Sequence, residues 1–482
     1  MTRSAAELRR DALRIWHAGV EAVRSERLVR SALRVEGNTL WLGEEPLALD
    51  RIGRIAVVGG GKAGAGMAAA VEQALGTRLM EQKRLAGWVN VPADCIRPLE
   101  RIRLHAARPA GVNEPRPEGE RGSREILRIA ESLGPGDLCL CLISGGGSAL
   151  MPAPVDGITL ADKLAVTRLL SAAGATINEL NTVRKQLSRL KGGGLARACR
   201  AGRLVALIIS DVLGDPLDVI ASGATVPDDP STPAGALAVL DRFGARGVVS
   251  PAVFEYLESR RHEAEGSGRA SAAVPAGQAV PAPPSARVTN LIIGNNATAV
   301  DAAGREAERL GYTPAMTAAT HSEGLADDVG RRLAEMALGM RDRPGTSAAA
   351  PDCLITGGEP VVRLAEESER GLGGRNQQLV LAALRRLAPD GARGIALLSG
   401  GTDGEDGPTD AAGARLDAEV LRAAAQRNLD PAPYLARNDA YHFFEPLGAL
   451  IKTGPTHTNV CDVRVVVVSP NSPDKTPFPD YP

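Results

Sequence analysis

The chain has 482 residues, 44% of them hydrophobic, 23% charged and only 3% aromatic. That length exceeds what one hydrophobic core serves, so two domains are expected. With 56 Lys and Arg against 57 Asp and Glu and a formal charge of −1, nothing points to nucleic acid or an anionic membrane as a partner, and the scarce aromatics argue against a base-stacking platform.

The first segment, MTRSAAELRRDALRIWHAGVEAVRSERLV, puts Leu8, Leu13, Ile15, Trp16 and Val20 near one stripe. It predicts an amphipathic helix. The segment carries Glu7, Asp11, Glu21 and Glu26 and lacks an apolar core, so it reads as neither a signal nor a transit peptide. No apolar run reaches the roughly 18 residues of a membrane helix. The six cysteines (Cys95, Cys139, Cys141, Cys199, Cys353, Cys461) form no CxxC pair, which suits a reducing compartment. A cytoplasmic protein is expected.

Six apolar runs follow, each ending in small or acidic residues. They start at Ile55 (IAVVGGGKAG), Leu138 (LCLCLISGGGS), Leu204 (LVALIISDVLGD), Val288 (VTNLIIGNN), Cys353 (CLITGGEP) and Ile395 (IALLSGGTDGEDG). Continuous apolar character marks strands covered on both faces, as in parallel sheets. Helix-length stretches lie between them, at 66–76, 160–173, 298–310 and 375–387. The alternation predicts α/β architecture with ligand loops beyond the carboxyl ends of the strands. Residues 263–287 are mostly Ala, Pro, Gly and Ser and read as a linker or insertion, with a similar short stretch at 341–351. The expected division is a domain at 1–262, this linker, and a domain at 288–482.

The loops carry the chemistry. Gly59, Gly61 and Gly64 match G-x-G-x-x-G between a strand and a helix, a weak dinucleotide signal by itself. The next apolar run ends near Asn90 and Pro92 with no acid at its tip. Lys62 inside the loop instead suggests that Gly59, Gly60, Gly61 and Gly64 cradle a phosphate at a helix N-terminus. Ala63 stands where a Walker A loop needs Ser or Thr. Ser144, Gly145, Gly146, Gly147 and Ser148 offer free N–H groups and two hydroxyls to a phosphate chain; the run does not match G-x-S-x-G. Asp211 sits at a strand tip and Asp215 four residues on; strand-end carboxylates suit Mg²⁺ or a substrate hydroxyl, and Asp215 before Pro216 also suits a turn. Arg375 follows two glycines at an expected helix start and can hold a carboxylate or phosphate bidentately. Of Asp403, Glu405, Asp406 and Asp410, Asp403 is nearest its strand and is the functional candidate. His457 and Asn459 lie in TGPTHTNVCD, but six scattered histidines without HxxxH argue against histidine metal ligation.

Together GGGKAG, LISGGGSALMPAP, GATINELNTVRKQLSRLKGGGLA, ISDVLGDPLDVIASG, GGEP, GGRNQ, SGGTDGEDGPTDAAGA and TGPTHTNVCD resemble the glycerate 2-kinase family, from about residue 5 to 466. The resemblance implies two α/β domains with mainly parallel sheets, a Rossmann-like N-terminal one and a three-layer C-terminal one. The latter would include the MOFRL region at about 352–466. It implies an active site in the interdomain cleft and transfer of the γ-phosphoryl of ATP to the 2-hydroxyl of D-glycerate with Mg²⁺. By motif, Lys62 and Arg375 are its cleft residues; Asn376 and Thr402 are substrate candidates. Asp211 and Asp403 are catalytic candidates that hold Mg²⁺ or orient the hydroxyl. Many members carry His-Pro where this chain has Arg108-Pro109. A monomer or homodimer acting on small molecules is expected. A nicotinamide-dependent hydroxypyruvate reductase and a phospho-acid sensor without turnover are the alternatives.

Overall fold

The computed structural model describes residues 3–109, 111–112, 114–270, 286–343 and 350–469. They form two compact units. The N-terminal unit comprises 25–209 and 216–293; the C-terminal unit comprises 1–24, 210–215 and 294–482. This corrects the division expected from the chain. The first 24 residues belong with the C-terminal unit, and the strand at 287–294 closes the sheet of the N-terminal one.

The N-terminal unit opens with an antiparallel meander of β1 (Leu33–Glu36), β2 (Thr39–Leu42) and β3 (Glu45–Ala48). Its main sheet contains β4 (Ile55–Gly60), β5 (Ala86–Pro92), β6 (Ile102–Arg108), β7 (Leu138–Ile143), β8 (Arg203–Ile209) and β9 (Arg287–Gly294). The spatial order is β6-β5-β4-β7-β8-β9, the Rossmann-type order 3-2-1-4-5-6. The β4–β5, β5–β6, β4–β7 and β7–β8 pairs are parallel. Every residue of β4 and β7 is buried, which is why their runs are apolar without alternation. β9 is different: it ends the sheet and is largely half-exposed.

A helical lobe belongs to the same unit. Val166, Leu170, Val183, Leu187, Leu237, Leu240, Val253 and Leu257 share one core there. The helices Leu160–Ala172 and Ile177–Gln186 each begin with a capping box, Thr159 with Asp162 and Thr176 with Glu179. The reciprocal bonds satisfy N–H groups that the first turn leaves open. The helix Pro251–Ala270 runs into the segment read as a linker. So 263–270 is helical, while 271–285 lies outside the described residues.

The C-terminal unit holds β10 (Pro314–Thr317), β11 (Cys353–Gly358), β12 (Ile395–Gly401), β13 (Gly413–Asp417), β14 (Leu450–Ile451) and β15 (Asp462–Val468). Their order is β10-β11-β15-β12-β13-β14. Only β10–β11 is parallel among these neighbours; the other pairs run antiparallel. Burial on both faces makes β11, β12 and β15 apolar, and burial carries no information about direction. The helix Ala5–Ala22 is built into this unit. Trp16 is fully buried and its indole N–H donates to Gly400 O at 3.3 Å. A Cβ on Gly400 would stand 2.8 Å from the Trp16 ring, so the glycine makes room for the indole.

Candidate active site

The carboxyl ends of β4 and β7 meet where the strand order reverses, the place where open α/β sheets bind ligands. The two glycine loops leave from there and pack on each other. Gly59 and Gly61 have φ of +149° and +157°, and a Cβ would fall 2.0 Å from Leu142 O and 2.1 Å from Ser144 Oγ respectively. The N–H of Gly61 donates to Asn90 O, that of Lys62 to Gly145 O, that of Ala63 to Ser144 Oγ and that of Gly64 to Gly61 O. Gly59 and Gly60 lie within the β4 ladder.

These bonds correct one reading. Gly61 is a glycine because Ser144 of the second loop packs on it, Gly59 because Leu142 of β7 does, Gly60 because Met151 does and Gly64 because Val89 and Val91 do, and the N–H groups of Gly61 and Gly64 serve the protein itself. Ser144 likewise latches the first loop. In the second loop, the N–H groups of Gly145 and Gly146 have no protein partner among the described residues. Gly146 (φ +76°) lies between two cations: a Cβ there would be 3.6 Å from Lys62 Cγ and 3.1 Å from Arg108 Nη2. Lys62 is half-buried, and Arg108 is 4% exposed. Arg108 is therefore a second cation beside the glycines.

Ser148 is the hub of a further network. Arg184 Nη2 donates to its Oγ at 2.7 Å, Lys191 Nζ donates to the same oxygen, and Ser222 Oγ lies 3.0 Å away. Ser222 and Ala221 both have positive φ, 58° and 48°, a strained pair of non-glycine residues. The turn after Lys191 docks there, with Gly192 N–H donating to Ser222 O at 2.9 Å. Burial, then Arg184 and Lys163, push the Lys191 amine well below the usual lysine range.

The C-terminal unit assembles a contrasting set. Arg375 begins the helix Arg375–Leu387. Its Nε and Nη2 donate to the two oxygens of Asp462 at 2.7 and 3.0 Å, and Nη1 donates to Glu359 at 2.8 Å. The fork expected to clamp substrate is thus closed on Asp462, which is fully buried at the start of β15. Burial opposes the charge on Arg375, but Asp462 and Glu359 outweigh it and raise its pKa. Burial also holds the Glu359 carboxyl above the usual range, against the pull of Arg375.

Cys461 (φ 67°) ties Asp211 to this group: its Sγ donates to Asp211 O at 3.1 Å, and Asn459 reaches Asp211 Oδ2 at 3.5 Å. Burial, then Glu359, Asp462 and Asp211, raise the Cys461 thiol. Asp403 is half-buried nearby; its Oδ1 accepts from Glu405 N–H at 3.1 Å, and its charge reaches Glu359.

Two substrate candidates are corrected. Asn376 is 1% exposed and spends its side chain on Asp406 and Ser399. Thr402 is fully buried, donating to Cys461 O and accepting from Val460 N–H. Asp406 is structural: it accepts from the N–H groups of Asn376 and Gln377 at the helix start. Burial pushes its carboxyl up to about 7 although those donors pull the other way. Asp215, with φ 56°, is a turn residue held by Asn295. Asp410 is exposed and pairs with Lys452, and His457 is exposed.

Sequence reasoning missed Arg184, Lys191, Ser222, Glu359 and Asp462 as site residues, although all lie inside quoted motifs. The signal available was their setting: a lysine before three glycines, and acids beside strand ends. Among the described residues no group of three or more His, Cys, Asp or Glu is arranged to hold a metal. Mg²⁺ needs only one or two carboxylates beside substrate phosphates and waters, and the oxygen donors Asp211 and Asp403 fit that demand. No helix among the described residues is long and apolar enough to cross a membrane.

Cations and hydroxyls stand at a Rossmann-type switch point, and carboxylates surround a braced arginine in a second α/β unit. Residues 11–258 match the model of a domain of unknown function, DUF4147, and residues 352–462 match the MOFRL family. A glycerate kinase of Danio rerio is 37% identical over 514 residues, covering 96% of this chain and 97% of that one. A putative hydroxypyruvate reductase of Agrobacterium vitis is 39% identical, covering 86% and 87%. The crystal structure of a glycerate kinase from Thermotoga maritima matches with a TM-score of 0.78 at 33% identity, over 96% of this chain and all of that one. The chain belongs to the glycerate kinase family.

Proposed function

We propose that the protein transfers the γ-phosphoryl of ATP to the 2-hydroxyl of D-glycerate, giving ADP and 2-phosphoglycerate. The observation that carries this reading is the division of charge, with cations around Ser144–Ser148 in one unit and carboxylates around Arg375 in the other. Phosphoryl transfer is mostly positioning and neutralisation of charge. Lys62, Arg108 and the N–H groups of Gly145 and Gly146 hold nucleotide phosphates. Asp211 and Asp403 would hold Mg²⁺, which when bound neutralises charge on the phosphates. The hydroxyl oxygen attacks phosphorus, ADP departs, and the hydroxyl proton passes to a carboxylate of the acidic set. Arg375, fixed by Asp462 and Glu359, presents its positive charge without having to be ordered during the reaction.

A nicotinamide reductase is disfavoured. β5, the strand beside β4, carries Asn90 at its tip, fully buried and donating to Gly119 O and Leu150 O. A ribose-binding acid has no place there. Six thiols without a disulfide support a cytoplasmic setting. The direct test is ³¹P NMR of the protein with Mg·ATP and D-glycerate. The expected signal is 2-phosphoglycerate; unchanged ATP, with NADH consumed in the presence of hydroxypyruvate, would replace this reading with the reductase.

A further inference from the structure

The N-terminal unit contains a cavity of about 170 Å³ lined by Lys163, Arg168, Arg184, Lys191 and Ser148, with Leu160 and Leu164 among its apolar walls. At about 30 Å³ per liquid water it has the capacity of roughly five or six waters, the size of a three-carbon acid. Its charge is unbalanced. One carboxylate lines it, Glu114, and that is paired with Arg168 at 2.8 Å. Lys163 is 9% exposed and donates to Leu187 O at 2.8 Å; Lys191 is 4% exposed and donates to hydroxyls. Arg184 donates to the Ser148 hydroxyl. The interior cations are thus bonded to neutral oxygens. Buried charges are ordinarily paired with opposite charges because desolvation costs several kcal/mol. Lys163 and Arg184 stand on helices with their own core, Lys191 on the turn that follows, and cations held this way keep a cost that a bound anion offsets. Burial lowers Arg184, and burial lowers Lys163 to about 7, with the charge of Arg184 as a second, smaller cause.

We infer that this cavity is an oxyanion subsite that takes the carboxylate or phosphoryl group of a compact acid, with Arg184 and Lys191 delivering it to Ser148. The inference deepens the phosphotransferase reading and rests on it only for the identity of the anion. Binding tests it without turnover. The full-length protein is titrated calorimetrically with D-glycerate, inorganic phosphate and tripolyphosphate, and the titrations are repeated on Arg184→Met and Lys163→Met. Loss of one charge-assisted hydrogen bond should weaken the cognate anion by about 10-fold or more. A loss confined to D-glycerate assigns the carboxylate, and a loss for phosphate or tripolyphosphate assigns the phosphoryl group; either supports the subsite. If the buried variants do not fold, Arg168→Gln decides, since that side chain is 65% exposed; a drop of about threefold is expected there. Wild-type protein that binds none of the three anions, or variants that bind all of them unchanged, overturns the inference. Failure of the kinase reading is separate: no 2-phosphoglycerate from wild-type protein, with anion affinity still lost in the variants, leaves the subsite standing.

Discussion

The two charged sets differ in how their charges are answered. Around Arg375 the protein supplies both signs: a guanidinium held bidentately by Asp462 and once by Glu359. Around Ser148 the one lining carboxylate, Glu114, is taken by Arg168, and Lys163, Arg184 and Lys191 rest on hydroxyls and a carbonyl. A set that pairs its own charges is rigid before substrate arrives. A set that leaves them opposed only by neutral oxygens is incomplete until an anion arrives. The first arrangement suits orientation, the second binding, and phosphoryl transfer needs both.

The largest effect is expected at Lys62, beside Gly146 in the N-terminal unit. Lys62→Ala should lower kcat by roughly 10²-fold or more, the scale for losing one contact to transition-state charge. Steady-state kinetics with D-glycerate and ATP measure it. Near-normal turnover would reduce Lys62 to a turn residue and leave Arg108 as the cation of that loop.

The next effect probes the paired set. Arg375→Lys keeps the charge but not the planar fork, so one ammonium cannot hold both oxygens of Asp462 and also Glu359. We expect kcat/KM for D-glycerate to fall about 10-fold or more, the cost of one to two charge-assisted hydrogen bonds. A lysine variant with wild-type kcat/KM would show that bracing by Asp462 is not what the site requires.

These residues also show what the chain disclosed before folding. All six apolar runs are strands, five of them because two-sided burial writes itself directly into composition, while the sixth, β9, is a half-exposed edge strand. Thr159 with Asp162 and Thr176 with Glu179 announce two helix starts through local chemistry. Partnership was not legible. The stripe of Leu8, Ile15 and Trp16 says that a helix is buried, not that it is buried under Gly400 near the far end of the chain. Burial of β11, β12 and β15 says nothing about strand direction. The glycines of GGGKAG mark close approach, but whether to a phosphate or to Ser144 depends on a loop more than 80 residues away. Arg375 was legible as a cation at a helix start; Asp462, which closes its fork, lies 87 residues on. Arg184 and Lys191 hide in a basic run that reads as a solvated face until the lobe around it is known.

The smallest expected effect is on stability and sharpens the unpaired side. Lys163 in the folded protein has its pKa lowered to about 7, first by burial and then by Arg184, whereas the unfolded chain keeps an ordinary lysine near 10.4. Between those values the unfolded state binds the extra proton, so stability from this group rises with pH. From pH 7 to 8 the rise is about 1 kcal/mol for a single site. Urea unfolding of wild type and Lys163→Met at the two pH values isolates it, because titrations elsewhere are shared. The wild type should gain about that much more than the variant. Equal gains would mean that Lys163 stays charged at pH 8, and that something in the fold already answers the cations of the cavity.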